Sequence, residues 1–198
     1  MPFPRVRPAM PDDHHHGDAE AVGFAVLTVS SSRTLETDDS GDALVAAIED
    51  DGHEVAARGL VADEETAIRE RVGTFADRDD VDAVVTTGGT GVTPDDVTVE
   101  AVEPLFDRSL PGFGERFRAR SVEEVGPHAM ITRATAGVAG TTPVFCLPGS
   151  RQAAEFGATE LILPIVGHVV ALASGGDGGH SHDHDHSHGD DHSHGGDH

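Results

Sequence analysis

Apolar runs that alternate with segments of helical spacing, joined by short connections, predict an α/β fold. The form expected is a three-layer α/β/α sandwich around a mostly parallel sheet. Three observations carry this. Residues 23–29 (GFAVLTV) form a continuous apolar run of buried-strand type, and 82–87 (DAVVTT) form another. A helical pattern follows each strand after a polar or glycine-rich loop. The second run also passes directly into Gly88-Gly89-Thr90-Gly91, a strand-to-helix turn of the kind that places ligands at the carboxyl edge of a parallel sheet.

The elements follow in order. After the first strand, Ser40 is placed to N-cap a helix over 41–51, with Gly52 as its stop. Residues 53–61 read as the second strand. Asp63-Glu64-Glu65 set acids on the first turn of the next helix, where the dipole favours them, and Ala67, Ile68, Val72, Phe75 and Ala76 supply its apolar face. Beyond the glycine loop, helices are expected over 96–106 and 114–120. Residues 131–138 and 143–147 read as two strands around the Gly140-Thr141-Thr142 turn, an antiparallel pair, and helices after Gly149 and over 161–172 close the domain.

Composition sets the boundaries. The chain has 198 residues, with 36 Asp and Glu against 13 basic residues, all of them Arg, for a formal charge of −23. Eleven of the 14 His lie in the flanks 1–21 and 175–198, which lack apolar periodicity and are expected to be disordered. The remaining 22–174 carry a net −15 and are long enough for one good core. An Arg-only, acid-rich surface reads as adaptation to high salt. The same charge argues against nucleic acid or an anionic membrane as partner. No apolar stretch is long enough to span a bilayer, no secretory leader is evident, and a single Cys fits a reducing cytoplasm.

The loops hold the candidate chemistry. With no Lys, a Walker-type phosphate loop is excluded, and Pro94 stands where a dinucleotide fingerprint needs a small residue. Anion binding must then rest on the amides of Gly88, Gly89, Thr90 and Gly91, on hydroxyls and on Arg. Asp96 beside that loop, together with Asp63 after the second strand, could hold Mg²⁺ on a phosphate. Pro148-Gly149-Ser150 form a second glycine turn ahead of a helix, with Ser150 as its cap. Cys146 reads as buried core. His53, His128 and His168 read as structural or surface residues, and Arg116, Arg118 and Arg120 as a solvated helix face. In the tail, His180, His182, His184, His186 and His188 alternate with Ser and Asp, a set suited to Ni²⁺, Zn²⁺ or Co²⁺.

Several motifs occur together: Gly88-Gly89-Thr90-Gly91 with Asp96, Leu105-Phe106-Asp107-Arg108, Pro111-Gly112-Phe113-Gly114-Glu115, Arg133-Ala134-x-Ala136-Gly137-Val138 and Leu147-Pro148-Gly149-Ser150. In this order the chain resembles the MoaB/MogA family of molybdenum cofactor biosynthesis proteins, nearer the MoaB branch, over residues 24–172. The resemblance implies a molybdopterin-binding fold in a homotrimer or homohexamer. It also implies an adenylyltransferase that moves AMP from Mg²⁺-ATP to the phosphate of molybdopterin, ahead of a separate molybdate-insertion enzyme. Carried over by position, it gives catalytic roles to Asp63, Asp96 and Thr132 and substrate contacts to Thr90 and Ser121. Ser31 stands where many relatives carry Asp and receives no role. Two other readings stand beside this one. One is a non-catalytic pterin-binding or metal-storing relative. The other is a CinA-like nucleotide-processing enzyme, suggested by the segment 91–98.

Overall fold

The computed structural model describes residues 21–175. The flank readings for residues 1–20 and 176–198 lie outside the described residues, and with them the tail histidines His180, His182, His184, His186 and His188. Six strands form one sheet: β1 (Gly23–Val29), β2 (Glu54–Val61), β3 (Ala83–Thr87), β4 (Arg108–Ser109), β5 (Thr135–Ala139) and β6 (Thr142–Leu147), in the order β2-β1-β3-β6-β5-β4. β2, β1, β3 and β6 run parallel, and β5 pairs antiparallel with both β6 and β4. Helices cover both faces, which gives the predicted three layers.

Strand alternation sorts the core into two halves. Phe24 and Val26 of β1, Val85 of β3, and Phe145 and Leu147 of β6 face one side. There they pack with Leu44 and Ile48 of α1 (Asp39–Asp50), Phe117 of α4 (Pro111–Val125), α5 (Arg151–Gly157) and Val166 of α6 (Val166–Ala173). Ala25, Leu27, Val84, Val144 and Cys146 face the other side, against Ile68, Val72 and Phe75 of α2 (Glu65–Ala76) and Val102 of α3 (Thr98–Val102). Each fully buried large apolar side chain contributes about 1.5–3 kcal/mol. This two-faced burial explains why the parallel strands read as unbroken apolar runs.

Several boundaries differ from the sequence reading. Asp38, not Ser40, caps α1: its carboxylate accepts the Gly41 N–H at 2.9 Å, and Ser40 lies buried inside the first turn. Only Glu65 occupies the first turn of α2, because Asp63 stays in the preceding loop and bonds across to Ser31 in the loop after β1. The helix expected over 96–106 starts at Thr98 and tightens to a 3₁₀ turn at Glu103–Leu105, where Pro104 supplies no N–H. α4 is longer than expected, entering on Pro111 and ending where Gly126 takes φ +59°. The strand expected from residue 131 begins at Thr135, since Arg133 N–H bonds the Thr90 carbonyl at 2.8 Å instead of a sheet neighbour. The closing helix is broken into a π turn (Ala158–Ile162) and α6, with Pro164 at the break. Among the described residues no single helix is long and apolar enough to cross a membrane.

Candidate functional site

The chain turns left from β1 to β2 and returns to the right at β3, so the sheet reverses its order between β1 and β3. In open α/β sheets that crevice, beyond the carboxyl ends of the strands, is where ligands bind. A cleft of about 510 Å³ lies there. Its walls come from the loops after four parallel strands: Ser30, Ser32 and Arg33 after β1, Asp63 after β2, Gly88 to Gly91 and Asp96 after β3, and Pro148, Gly149 and Ser150 after β6. Thr132 reaches it from the approach to β5. The structure therefore gathers ten of the predicted residues, Asp63, Gly88, Gly89, Thr90, Gly91, Asp96, Thr132, Pro148, Gly149 and Ser150, around one opening in which two carboxylates and two glycine turns meet.

Ser121 is not in the cleft. Its hydroxyl donates to the Phe117 carbonyl at 2.8 Å, and it lines a smaller hollow of about 170 Å³ next door. The two spaces share Thr132, Pro148 and Ser150 as a common wall.

The glycine loop needs its glycines for two reasons. Gly88 and Gly89 have φ of +106° and +65°, and a Cβ on Gly88 would sit 2.2 Å from the Val29 carbonyl oxygen. Thr98 holds the loop from behind: its hydroxyl donates to the Gly88 carbonyl at 2.8 Å and its N–H to the Gly89 carbonyl at 3.0 Å. The second turn packs against the first, since a Cβ on Gly149 would lie 3.1 Å from Gly88 Cα. Ser150 accepts the Ala153 N–H at 3.2 Å, which is the expected cap of α5.

The two acids are held differently. Asp63 Oδ2 accepts the Ser31 N–H at 2.7 Å, and Ser31 Oγ accepts the Asp63 N–H at 3.1 Å, a reciprocal clamp between the loops after β1 and β2. Ser31, left without a role in the sequence, thus fixes Asp63. Asp96 Oδ2 accepts both the N–H and the hydroxyl of Thr93, at 2.8 and 2.7 Å. Burial pushes the Asp96 carboxyl up. The Thr93 hydroxyl and amide, the Gly91 amide and the Arg133 charge outweigh it and hold Asp96 below the usual carboxylate range. Two carboxylates lining one cleft are a donor set suited to Mg²⁺ accompanied by phosphate oxygens.

Three residues of the site were missed from the sequence. Arg133 donates from Nε to the Gly91 carbonyl and from Nη2 to the Asp96 carbonyl, both at 2.6 Å, and its Nη1 pairs with Glu100. It ties the loop to Asp96 from outside the cleft. Arg33 lines the cleft itself. Asp38 is fully buried, bonded to the Thr28 hydroxyl at 2.6 Å and paired with Arg58 at 3.0 Å. Cys146 is buried, as expected, with its thiol pushed up to about 12 by burial, and so is no nucleophile.

Comparison with known proteins follows the same lines. The profile of one family, described as a probable molybdopterin binding domain, matches residues 25–168. Molybdenum cofactor biosynthesis protein B of Bacillus subtilis is 43% identical over 159 residues, 80% of this chain and 94% of that protein. A crystal structure of a molybdenum cofactor biosynthesis protein B superposes with a TM-score of 0.76 at 40% identity, covering 78% of this chain and 97% of its own. The crystal structure of tungsten cofactor synthesizing protein MoaB from Pyrococcus furiosus has a TM-score of 0.70 at 37% identity, over 78% and 98%. Protein CinA from Thermoplasma acidophilum, 19% identical with a TM-score of 0.51, shares the fold.

Proposed function

The chain belongs to the MoaB/MogA family of molybdenum cofactor biosynthesis proteins, and from that premise we propose that it adenylylates molybdopterin. In this reaction a phosphate oxygen of molybdopterin attacks the α-phosphorus of ATP. A P–O bond to the β-phosphate breaks, and adenylyl-molybdopterin and pyrophosphate leave. The observation that carries the proposal is the meeting of Asp63 and Asp96 with two glycine turns around one cleft at the carboxyl ends of the parallel strands.

The residues divide the work by chemistry. Asp63 and Asp96 would hold the Mg²⁺ that accompanies ATP, an ion that neutralises charge on the phosphates when bound. Among the described residues, the Gly89 and Thr90 N–H groups have no protein acceptor, so they are available to phosphoryl oxygens. Thr132 offers a hydroxyl on the wall between the cleft and the hollow that contains Ser121, which fits a ligand extending from one space into the other. Phosphoryl transfer asks mainly for positioning and charge stabilisation, and the clamps on Asp63, Asp96 and the glycine loop provide rigidity for both. We place the reaction in the cytoplasm, in an assembly of identical chains.

The test is adenylate formation from molybdopterin and Mg²⁺-ATP by purified protein in high salt, with Asp63→Asn and Asp96→Asn compared with the parent chain. Loss of product in both variants, with folding retained, is expected. Full activity in either removes the role given to that carboxylate.

A further inference from the structure

Arg33 is set apart from the other described arginines by its place on the cleft wall. Arg58, Arg69, Arg78, Arg120 and Arg133 each pair with a carboxylate. Arg33, like Arg71, Arg108, Arg116, Arg118 and Arg151, has no such partner among the described residues, although residues 22–174 hold 26 acids. It is half-buried and is the one basic side chain on the wall of the cleft.

Its position is nevertheless fixed. Nη1 donates to Ser40 Oγ at 2.8 Å, and Ser40 Oγ donates to Asp38 Oδ1 at 3.2 Å. Asp38 is immobilised in turn by the Thr28 hydroxyl, the Gly41 N–H at 2.9 Å and Arg58. One edge of the guanidinium is therefore anchored to the core, while among the described residues its remaining N–H groups meet no protein acceptor. A planar cation held in this way suits a phosphate, because little side-chain freedom is left to lose on binding.

We infer that Arg33 is the phosphate-binding cation of the cleft, with Ser40 and Asp38 as the residues that position it. The inference rests on the reading that phosphorylated substrates enter this cleft. The shared chemistry is a phosphate oxygen, which either the nucleotide or the pterin can supply.

The experiment is calorimetric titration of the full chain, its Arg33→Ala variant and its Arg33→Lys variant, with Mg²⁺-ATP in one arm and molybdopterin in the other. Loss of a charge-assisted hydrogen bond predicts binding about 10-fold to 100-fold weaker for Arg33→Ala in at least one arm. The arm that weakens identifies the source of the phosphate, and Arg33→Lys recovers part of the loss. Parent binding should also fall more steeply with added salt than that of Arg33→Ala, a difference that a purely structural defect would not produce. Equal affinity of parent and Arg33→Ala in both arms overturns the inference. Adenylate formation is read separately. Arg33-dependent binding without adenylate would remove the adenylyltransferase reading alone, whereas adenylate formed with unchanged affinity in Arg33→Ala would remove this inference alone.

Discussion

Gly88→Ala is the most revealing single change in the cleft. The residue has φ of +106°, a conformation that costs a residue with a Cβ about 1–3 kcal/mol. The new methyl would also lie 2.2 Å from the Val29 carbonyl oxygen, which belongs to the backbone of β1 and cannot swing aside like a side chain. Forced overpacking of that kind adds about 1–3 kcal/mol. The expected loss is thus about 2–6 kcal/mol, a large share of a stability of about 5–15 kcal/mol. The loop is held at both sides, by Gly88 N–H to the Leu147 carbonyl at 3.0 Å and by Thr98, so relief must distort the amides that line the cleft. The assay is urea unfolding followed by far-ultraviolet circular dichroism in high salt, since the chain has no Trp or Tyr for fluorescence. Gly73→Ala is the control. It lies inside α2 with nothing within 4 Å of the new Cβ, and should stabilise by about 0.5–1 kcal/mol. A Gly88→Ala midpoint equal to that of the parent would refute the reasoning.

Other outcomes follow from the same structure. Burial pushes the Asp38 carboxyl up, but the Thr28 hydroxyl, the Gly41 amide and Arg58 overcome it and hold the group below its ordinary 3.8. A depressed carboxylate stabilises the fold fully above its unfolded value and loses that contribution as pH falls through the folded value. Unfolding midpoints should therefore fall in acid below about pH 4, and Asp38→Asn should lower stability at neutral pH by about 3 kcal/mol while flattening that acid dependence. Thr98→Val should cost about 1–3 kcal/mol by leaving the Gly88 carbonyl unpaired, read as a lower urea midpoint. Deleting residues 175–198 should abolish tight Ni²⁺ binding, measured by calorimetry, and leave adenylate formation unchanged.

The sheet was readable because its strands are buried on both faces, so that 23–29, 82–87 and 143–147 appear as apolar runs whatever the loops do. Loop chemistry was less accessible. Ser40 had the right residue type for a cap, yet Asp38 took the role because it also reaches Thr28 and Arg58 from other strands, contacts with no local signal. Asp96 was placed on a helix that in fact starts two residues later, since Thr98 is drawn back to the glycine loop. Asp63, Asp96 and the two glycine turns are visible as residues. Their convergence depends on the strand order β2-β1-β3-β6, which pattern alone does not give. Arg133 was hidden because its partners, Gly91 and Asp96, are distant in sequence, and Arg33 because its place on the cleft wall depends on the same strand order.

The charge acquires a more specific meaning. A chain at −23 without Lys can still hold phosphates if the cations are few and fixed, and the acids lining the cleft are Asp63 and Asp96, alongside the glycine turns and Arg33.

The most direct measurement is transfer of label from ATP carrying ³²P at the α-position, with molybdopterin and Mg²⁺ in high salt. The label is expected in a pterin adenylate, with one pyrophosphate released for each adenylate formed. Label that remains in ATP, or appears only in free AMP, would contradict adenylyl transfer.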